Sequence, residues 1–486
     1  MMPVNAPSSI LADALKSPDD DAPRMALANT SEIATWHSHL IQVQCDLAQR
    51  VANDPFRHEW QAVDHVEQRL LGGLSSFERG FLQLRPNLAV FFRRGFLEVV
   101  TAELATILDH GEECLAFALF PFVNRLHLTG DTARIPDLCS SPLLQRIDHL
   151  WFAEALCDDG KVKALSSSSN IGHLKSLSFR FWGECDEKGR LADYGGVISP
   201  DGAKALASSS SLRNVQSLDL TFHDLGLHGT QHLTRSATLQ NLETLCLDLN
   251  DIGDDGVKEL AVAENFTSLA SLSVRDNGIS LEGIHALISG PRAQGLRSLR
   301  LTDNDLGPDA GTVFAKTTCF GRLEYLYLAN CSLGEKGFSD LLEFNRLPQL
   351  RSLNVDRNSI GPSFFDIFRA APAIAHISAM SNGISDDNAH HMLGGTGNRS
   401  SELRSLNLSD NNLGNGFAQA ISESSAFGNL ETLHLAGNSV DDIGASYIRQ
   451  SESLKNLQLV SFDASRVSDQ EQRLLVDRFG DGVVFK

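Results

Sequence analysis

Nowhere in this chain do eighteen apolar residues run unbroken, so no stretch has the length and apolarity of a membrane-spanning helix. The opening MMPVNAPSSILADALKSPDDDAPRM has no basic segment followed by an apolar one, which argues against a secretory leader. Basic residues are scarce: 41 Lys and Arg stand against 61 Asp and Glu in 486 residues, a net charge of −20. Ligands held through phosphates need clustered cations, so neither nucleic acid nor a membrane is an expected partner. Paired cysteines are missing too. The eight, at 45, 114, 139, 157, 185, 246, 319 and 331, show no C-x-x-C and no matched spacing, the pattern of isolated thiols in a reducing compartment rather than of a disulfide framework or zinc site. The expectation is a soluble, cytoplasmic protein.

Catalytic signatures are equally absent. No G-x-S-x-G, H-E-x-x-H or G-x-x-x-x-G-K-[ST] occurs. GGTGNRSS at 394–401 lacks the phosphate-loop lysine and precedes a strand, where a phosphate loop would follow one. His37 and His39 do not share a helix face, His58 and His65 have no third ligand, and His390 and His391 fall in an outer segment. Asp19, Asp20 and Asp21 between Pro18 and Pro23 suit a turn and a helix cap better than a calcium loop. No metal, cofactor, small-molecule ligand or catalytic residue is expected.

What the chain has in abundance is one repeated phrase. LRSLRLTDNDLG at 296–307 returns as LRSLNLSDNNLG at 403–414. The template is L-x-x-L-x-L-x-x-N with an apolar residue two places on. Its best copies begin at Leu242, Leu269, Leu296, Leu323 and Leu350, each 27 residues after the last, and further copies begin at Leu403 and Leu430. Weaker copies begin at Val123, Ile147, Leu174, Val215, Ile374 and Leu454, thirteen in all. Alternation such as Leu299 and Leu301 around Arg300 predicts a short, half-buried strand. Asn250, Asn277, Asn304, Asn358, Asn382, Asn411 and Asn438 close the phrase, where an amide can satisfy backbone groups as the chain turns off the strand. Next comes a helical stretch. In IGDDGVKELAVAENF, Val257, Leu260 and Ala261 have helical spacing and Asp254 or Asp255 suits the N-terminal end. Gly202, Gly229, Gly256, Gly283, Ala310, Gly337 and Gly444 recur four places after the turn's apolar residue, which predicts close approach of helix to sheet there. One such unit buries too little to fold alone, so the copies must stack.

These motifs resemble the ribonuclease-inhibitor-like class of leucine-rich repeats over residues 123–462. The resemblance implies an α/β solenoid: a horseshoe with a parallel sheet on the concave face and helices on the convex face. Before it, ILADALKSPDDDAPRMALAN, WHSHLIQVQCDLAQR and FFRRGFLEVV are similar to the repeat-companion domain that precedes such arrays in bacterial proteins, although Ala28, Asn29, Thr30 and Ser31 stand where that family has an A-D-W-L-E type motif. No defined activity comes with it. Trp36, Leu40, Val43, Leu47 and Val51 form one apolar helix stripe, so residues 1–122 are expected to be a mainly helical cap. Residues 463–486, with LLVDRFGDGVVF, are expected to cap the other end by a helix over Asp469–Phe479 and a strand over Val483–Phe485. Leu174 and Val215 stand 41 residues apart, and the excess, WGECDEKGRLADYGG at 182–196, reads as an inserted loop.

The outward strand positions carry the candidate site. Arg275, Arg300, Tyr325 and Tyr327, flanked by Asp248 and Asp356, form one aromatic and charged patch, and Trp151 with His127 forms a smaller one. Arg, Tyr and Trp are the residues enriched in binding hot spots. Ser217, Ser271, Ser298, Ser352 and Ser405 read as compact spacers, since no base accompanies them. A non-catalytic scaffold binding a protein on the concave face is the leading expectation. The competing one, regulation of a GTPase or other enzyme as in the leucine-rich GTPase-activating proteins, rests on likeness of fold alone.

Overall fold

The computed structural model describes residues 88–93, 96–115, 123–152, 157–180, 197–342, 347–370, 374–387, 389 and 402–486. The chain divides into two compact units, 1–246 and 247–486. In the first, β1 (Leu88–Arg93) runs antiparallel to β2 (Phe96–Glu103). From β2 onward pairing is parallel through β3 (Arg125–Thr129), β4 (His149–Phe152), β5 (Ser176–Ser178), β6 (Ser217–Asp219) and β7 (Thr244–Cys246). The second holds β8 (Ser271–Ser273), β9 (Ser298–Arg300), β10 (Tyr325–Tyr327), β11 (Ser352–Asn354), β12 (His376–Ser378), β13 (Ser405–Asn407), β14 (Thr432–His434), β15 (Leu459–Phe462) and β16 (Val483–Phe485), each parallel to the next. Each unit is thus a stack of strand–turn–helix courses, an α/β leucine-rich-repeat solenoid.

Every one of the thirteen expected copies carries a strand, in β3 to β15. The last is out of register with its expectation. Leu459 pairs with Thr432, so the copy begins at Leu457, 27 residues after Leu430, and not at Leu454. Leu454, Leu457 and Leu459 satisfy the leucine template by themselves, but buried Leu454 belongs to the end of the preceding course, where its N–H donates to Ser451 Oγ at 3.1 Å. At the other end the sheet begins before the first leucine copy. Within the stretch expected as a helical cap, β1 and β2 precede a helix at Leu104–Leu115, and β2 buries alternate Val100 and Ala102 as the later strands bury their leucines. The apolar stripe from Trp36 to Val51 lies outside the described residues, as do the inserted loop, the histidines at 37, 39, 58, 65, 390 and 391, and GGTGNRSS.

Hydrogen bonds tie each course to the next. Asn304 Nδ2 donates to the carbonyls of Val274 at 2.9 Å and Leu301 at 2.8 Å, and its Oδ1 accepts from Asn277 N and Ile279 N, both at 3.0 Å. The amide therefore satisfies groups of its own repeat and of the one before, and all four partners are buried. Asn277, Asn358, Asn382 and Asn411 repeat this in kind. A second ladder runs at the helix ends, where Ser451 Oγ donates to Ser422 O and Ser236 Oγ to Ala207 O, both at 2.6 Å.

The helix Gly253–Val262 buries Val257, Leu260 and Ala261, as their spacing predicts. Asp254, in its first turn, reaches forward instead of capping its own helix. Its carboxylate accepts from Ser280 N at 2.8 Å, Ser280 Oγ at 2.6 Å and Gly283 N at 2.9 Å, the start of the next helix. That corrects the reason for the small residue. A Cβ on Gly283 would strike Asp254 Oδ1 and come within 2.7 Å of Ile279 Cγ2; the neighbouring cap and the apolar residue of the preceding turn, not the sheet, leave no room there. Gly202 meets Asp159, and Gly444 meets Asn415, in the same way, while at Gly229 and Gly256 the nearest obstacle is that turn residue alone, Leu225 or Ile252. At the C-terminal end the expected helix and strand are present: Arg449 pairs with Glu471 of the helix Asp469–Phe479 at 2.7 Å, and β16 continues the sheet.

Candidate binding face

Since leucines at alternate strand positions enter the core, the residues between them line the opposite face. In the first unit Arg125 aligns with His149 and then Ser176, and His127 with Trp151 and then Ser178. All six are half-buried. The His127 ring meets the Trp151 ring edge-on, centroids 4.4 Å apart at 68°. Burial, and secondarily the Arg125 charge, push the His127 pKa down to about 4, so near neutral pH the pair is uncharged. Trp151 Nε1 is a buried donor without a hydrogen-bond partner among the described residues.

In the second unit three parallel rows form. Ser271, Ser298, Tyr325 and Ser352 make one, and Ser273, Arg300, Tyr327 and Asn354 the next. Asp248, Arg275 and Asp356 sit one alternate step beyond the strand rows, at the equivalent position of their own repeats. The structure thus brings the expected patch onto one face, but does not leave it open. Arg300 is 1 % exposed, Tyr327 0 %, Asp248 2 % and Tyr325 7 %. Arg275 is different, its side chain 35 % exposed. Outward direction on a strand is set locally by the pleat; access depends on everything packed around it.

The electrostatics of the rows follow from that burial. Arg300 Nη1 stands 3.7 Å from Asp248 Oδ2, and Asp248 also accepts from Ser273 Oγ and from Arg275 N, the latter at 2.9 Å. A buried pair of this kind acts as a brace, because removing one partner strands the other's charge. Arg275 Nε turns to Asp303 Oδ2 at 2.7 Å. Asp356 accepts from Ser378 Oγ at 2.7 Å and Met380 N at 2.6 Å, yet its burial outweighs these donors and raises its pKa. Of the spacer serines, Ser271, Ser298, Ser352 and Ser405 are buried and Ser217 half-buried.

Two groups escaped the sequence reading. His434 Nδ1 lies 3.2 Å from Ser461 Oγ, a serine with a base beside it after all. Ser461 is fully buried and its oxygen already faces Leu435 N at 3.2 Å and Ala436 N at 3.4 Å, so no substrate reaches it. The clue was their 27-residue separation, which puts them at one position of successive repeats. His223 is the other. It occupies the asparagine position of its repeat, donates from Nε2 to Phe179 O at 2.8 Å and accepts at Nδ1 from Ile198 N at 3.3 Å. Those two residues flank the inserted stretch. Burial drives the His223 pKa down to about 4. Among the described residues no cluster of three metal-ligating side chains forms, and no helix is long and apolar enough to cross a membrane.

A family model described as a leucine-rich repeat matches residues 238–261, 400–422 and 429–448. No curated protein sequence matches the chain. Among solved structures, an internalin from Listeria monocytogenes is 22 % identical, with 70 % of this chain and 81 % of that one covered and a TM-score of 0.40. The yeast Rad7 and Elc1 complex gives 17 % identity, 73 % and 87 % coverage and a TM-score of 0.39. A complex of TLR13 with ssRNA13 gives 19 %, 72 %, 54 % and 0.39. The matched segments fall on strand–turn–helix courses of the fold, so these stretches of the chain are leucine-rich repeats.

Proposed function

We propose that the chain is a non-catalytic scaffold that holds a protein partner against the strand face of its repeats. The observation that carries this reading is the alternation kept within each unit: one set of strand side chains is sealed in the core, while the other, polar or aromatic and aligned from repeat to repeat, lines the opposite face. The contact residues are those of the patch that reach solvent, namely Arg275 and Asp356 in the second unit and Trp151 with His127 in the first. Arg300, Tyr325, Tyr327 and Asp248 are the buried support of that face. The net charge of −20 favours a polypeptide over a polyphosphate ligand. The 27-residue period with a helix in most courses supports the ribonuclease-inhibitor-like class for the array over 123–462, while the stretches ILADALKSPDDDAPRMALAN, WHSHLIQVQCDLAQR and FFRRGFLEVV support a bacterial repeat-companion domain over 1–122, and LLVDRFGDGVVF a cap over 463–486. Free thiols at Cys139, Cys157, Cys246, Cys319 and Cys331 support a cytoplasmic setting.

Substituting Trp151→Ala and Arg275→Ala should each lower capture of the partner by about tenfold or more while the melting temperature stays near that of the parent. Val262→Ser and Ile443→Ser, exposed residues on helices, should leave capture unchanged. Capture lost through the helix-side changes, or kept by both strand-face changes, would overturn the reading.

A further inference from the structure

In the first unit, the described outward positions of the β3, β4 and β5 courses are Arg125, His127 and Thr129, then His149 and Trp151, then Ser176, Ser178 and Arg180. None is a carboxylate and all are half-buried, while Leu126, Leu150 and Phe179 between them are sealed in the core. Acidic groups stand only at the borders. Glu103 lies on β2 and Asp219 on β6, where Asp219 accepts from Thr221 N at 3.0 Å and Thr221 Oγ1 at 2.6 Å. Asp148 pairs with Lys175 at 3.5 Å. In a chain at −20, residues 123–180 carry seven Lys and Arg against six Asp and Glu. The register sets Arg125, Trp151 and Arg180 on one diagonal, each one strand over and two residues further along than the last. With strands about 4.8 Å apart and about 6.6 Å for two residues, the diagonal measures about 16 Å, the reach of about five extended residues.

We propose that an acidic, extended segment of a partner protein lies along this diagonal, its carboxylates on Arg125 and Arg180 and its backbone across the Trp151 ring. The inference rests on the strand-face scaffold and names the chemistry of its partner in the first unit. Charge complementarity carries it. A strip with cations and no carboxylate, in a chain otherwise strongly acidic, selects an anion there, and guanidinium is the group that fits a carboxylate through paired hydrogen bonds. The field is already felt locally: after burial, the Arg125 charge is the second cause that lowers the His127 pKa. Between the two arginines the strip offers an uncharged aromatic pair and an indole N–H that no acceptor among the described residues answers. Such a surface suits a peptide, which brings apolar contact and carbonyl oxygens along with its charges. Two arginines about 16 Å apart match a carboxylate every few residues. They are too sparse for a nucleic-acid strand, which carries one charge per about 3.4 Å. The acidic remainder of the chain is largely screened beyond about 8 Å at physiological salt, so it slows the approach of such a segment more than it weakens the contact.

Fluorescence anisotropy of the full chain with labelled poly-L-glutamate tests it, with a glycine–serine peptide and oligothymidylate of matched length beside it. Poly-L-glutamate should bind, and should loosen by about tenfold between about 50 and 300 mM salt. Arg125→Gln and Arg180→Gln should each weaken it by about fivefold or more, and Trp151→Phe, which keeps a ring and removes the N–H, by about threefold. Lys336→Gln removes an exposed helix charge and should change nothing. Should a glutamine variant lose its fold, Ser176→Glu, which sets a carboxylate into the strip, should abolish binding at an unchanged melting temperature. No binding of poly-L-glutamate, equal binding of the glycine–serine peptide, tighter binding of oligothymidylate, or indifference to these strip changes would each overturn the proposal. Partner capture lost in Trp151→Ala without any binding of poly-L-glutamate would remove this inference and leave the scaffold reading standing. Poly-L-glutamate held by Arg125 and Arg180, with partner capture indifferent to Trp151→Ala and Arg275→Ala, would do the reverse.

Discussion

The two units solve one problem with different side chains. In the second, a buried asparagine at the end of the strand phrase answers backbone groups of two courses at once, from Asn277 through Asn411. In the first, the equivalent position of the β6 course holds His223, whose Nε2–H reaches the Phe179 carbonyl as Asn277 Nδ2 reaches that of Leu247. Its Nδ1 takes the N–H of Ile198 as Asn277 Oδ1 takes that of Ile252. Ile198 is thus the residue re-entering the core after the insertion, as Ile252 does without one. The lesson is that the position demands a donor and an acceptor set a fixed distance apart, and not an amide as such. The difference is that an imidazole can gain a proton and an amide cannot.

Removing the rung should have the largest effect. Asn304→Ala would leave the Val274 and Leu301 carbonyls and the Asn277 and Ile279 N–H groups without this partner. At about 1–3 kcal/mol for each buried group left unsatisfied, and with partial relaxation, the loss should be about 4 kcal/mol. Urea unfolding measures it, and a loss under about 1 kcal/mol would deny the ladder its role. The histidine rung should fail with acid instead. The folded pKa of His223, about 4, lies below the usual 6.5, so its contribution is complete above pH 6.5 and is lost as pH falls from there through about 4. The full loss is on the order of 3 kcal/mol. His127, depressed to about 4 as well, adds in the same direction and window. His223→Asn should keep stability at pH 7 and flatten the slope between pH 6.5 and 4; an unchanged slope would mean that His223 does not titrate as its burial requires.

How much of this was legible beforehand follows the reach of each interaction. Strand positions, the alternation of Leu299 and Leu301 around Arg300, and the asparagine turn are set within about a dozen residues, so periodicity displayed them. The β15 register was not, because Leu454, Leu457 and Leu459 offer two readings and only pairing of Leu459 with Thr432 chooses between them. Placement of Arg300 and Tyr327 on one face was legible from the pleat. Their burial was not, since access is a property of surroundings distant in sequence. His223 was hidden for a similar reason: the insertion moves Ile198 away from its repeat, and without that partner a histidine in the asparagine place looks like a missed match.

Crowding at the helix starts should give an intermediate effect. Gly283→Ala sets a methyl group against the Asp254 carboxylate and Ile279, an overpacking expected to cost about 2 kcal/mol. If Asp254 is the obstacle, Gly283→Ala combined with Asp254→Ala should lose less than the two single changes together. Simple additivity would return the explanation to helix and sheet.

The smallest effect sharpens the comparison most, because it asks for a gain. Cys331 takes the asparagine place in the β10 course, where its Sγ lies 3.3 Å from Leu301 O and 3.4 Å from Ala329 O. Burial pushes the thiol up to about 12, so it stays a protonated, weak donor, and sulfur accepts poorly from Asn304 N. Asn358 still accepts from Cys331 N at 3.0 Å, so the ladder arrives at this rung intact from one side. Cys331→Asn, close in volume, should complete it and stabilise the second unit by about 1 kcal/mol or less, read as a shift in the urea midpoint at constant slope. A loss in its place would show that the rung at 331 is shaped around sulfur, and that the demand for a donor and an acceptor which His223 meets in the first unit is relaxed here by local packing.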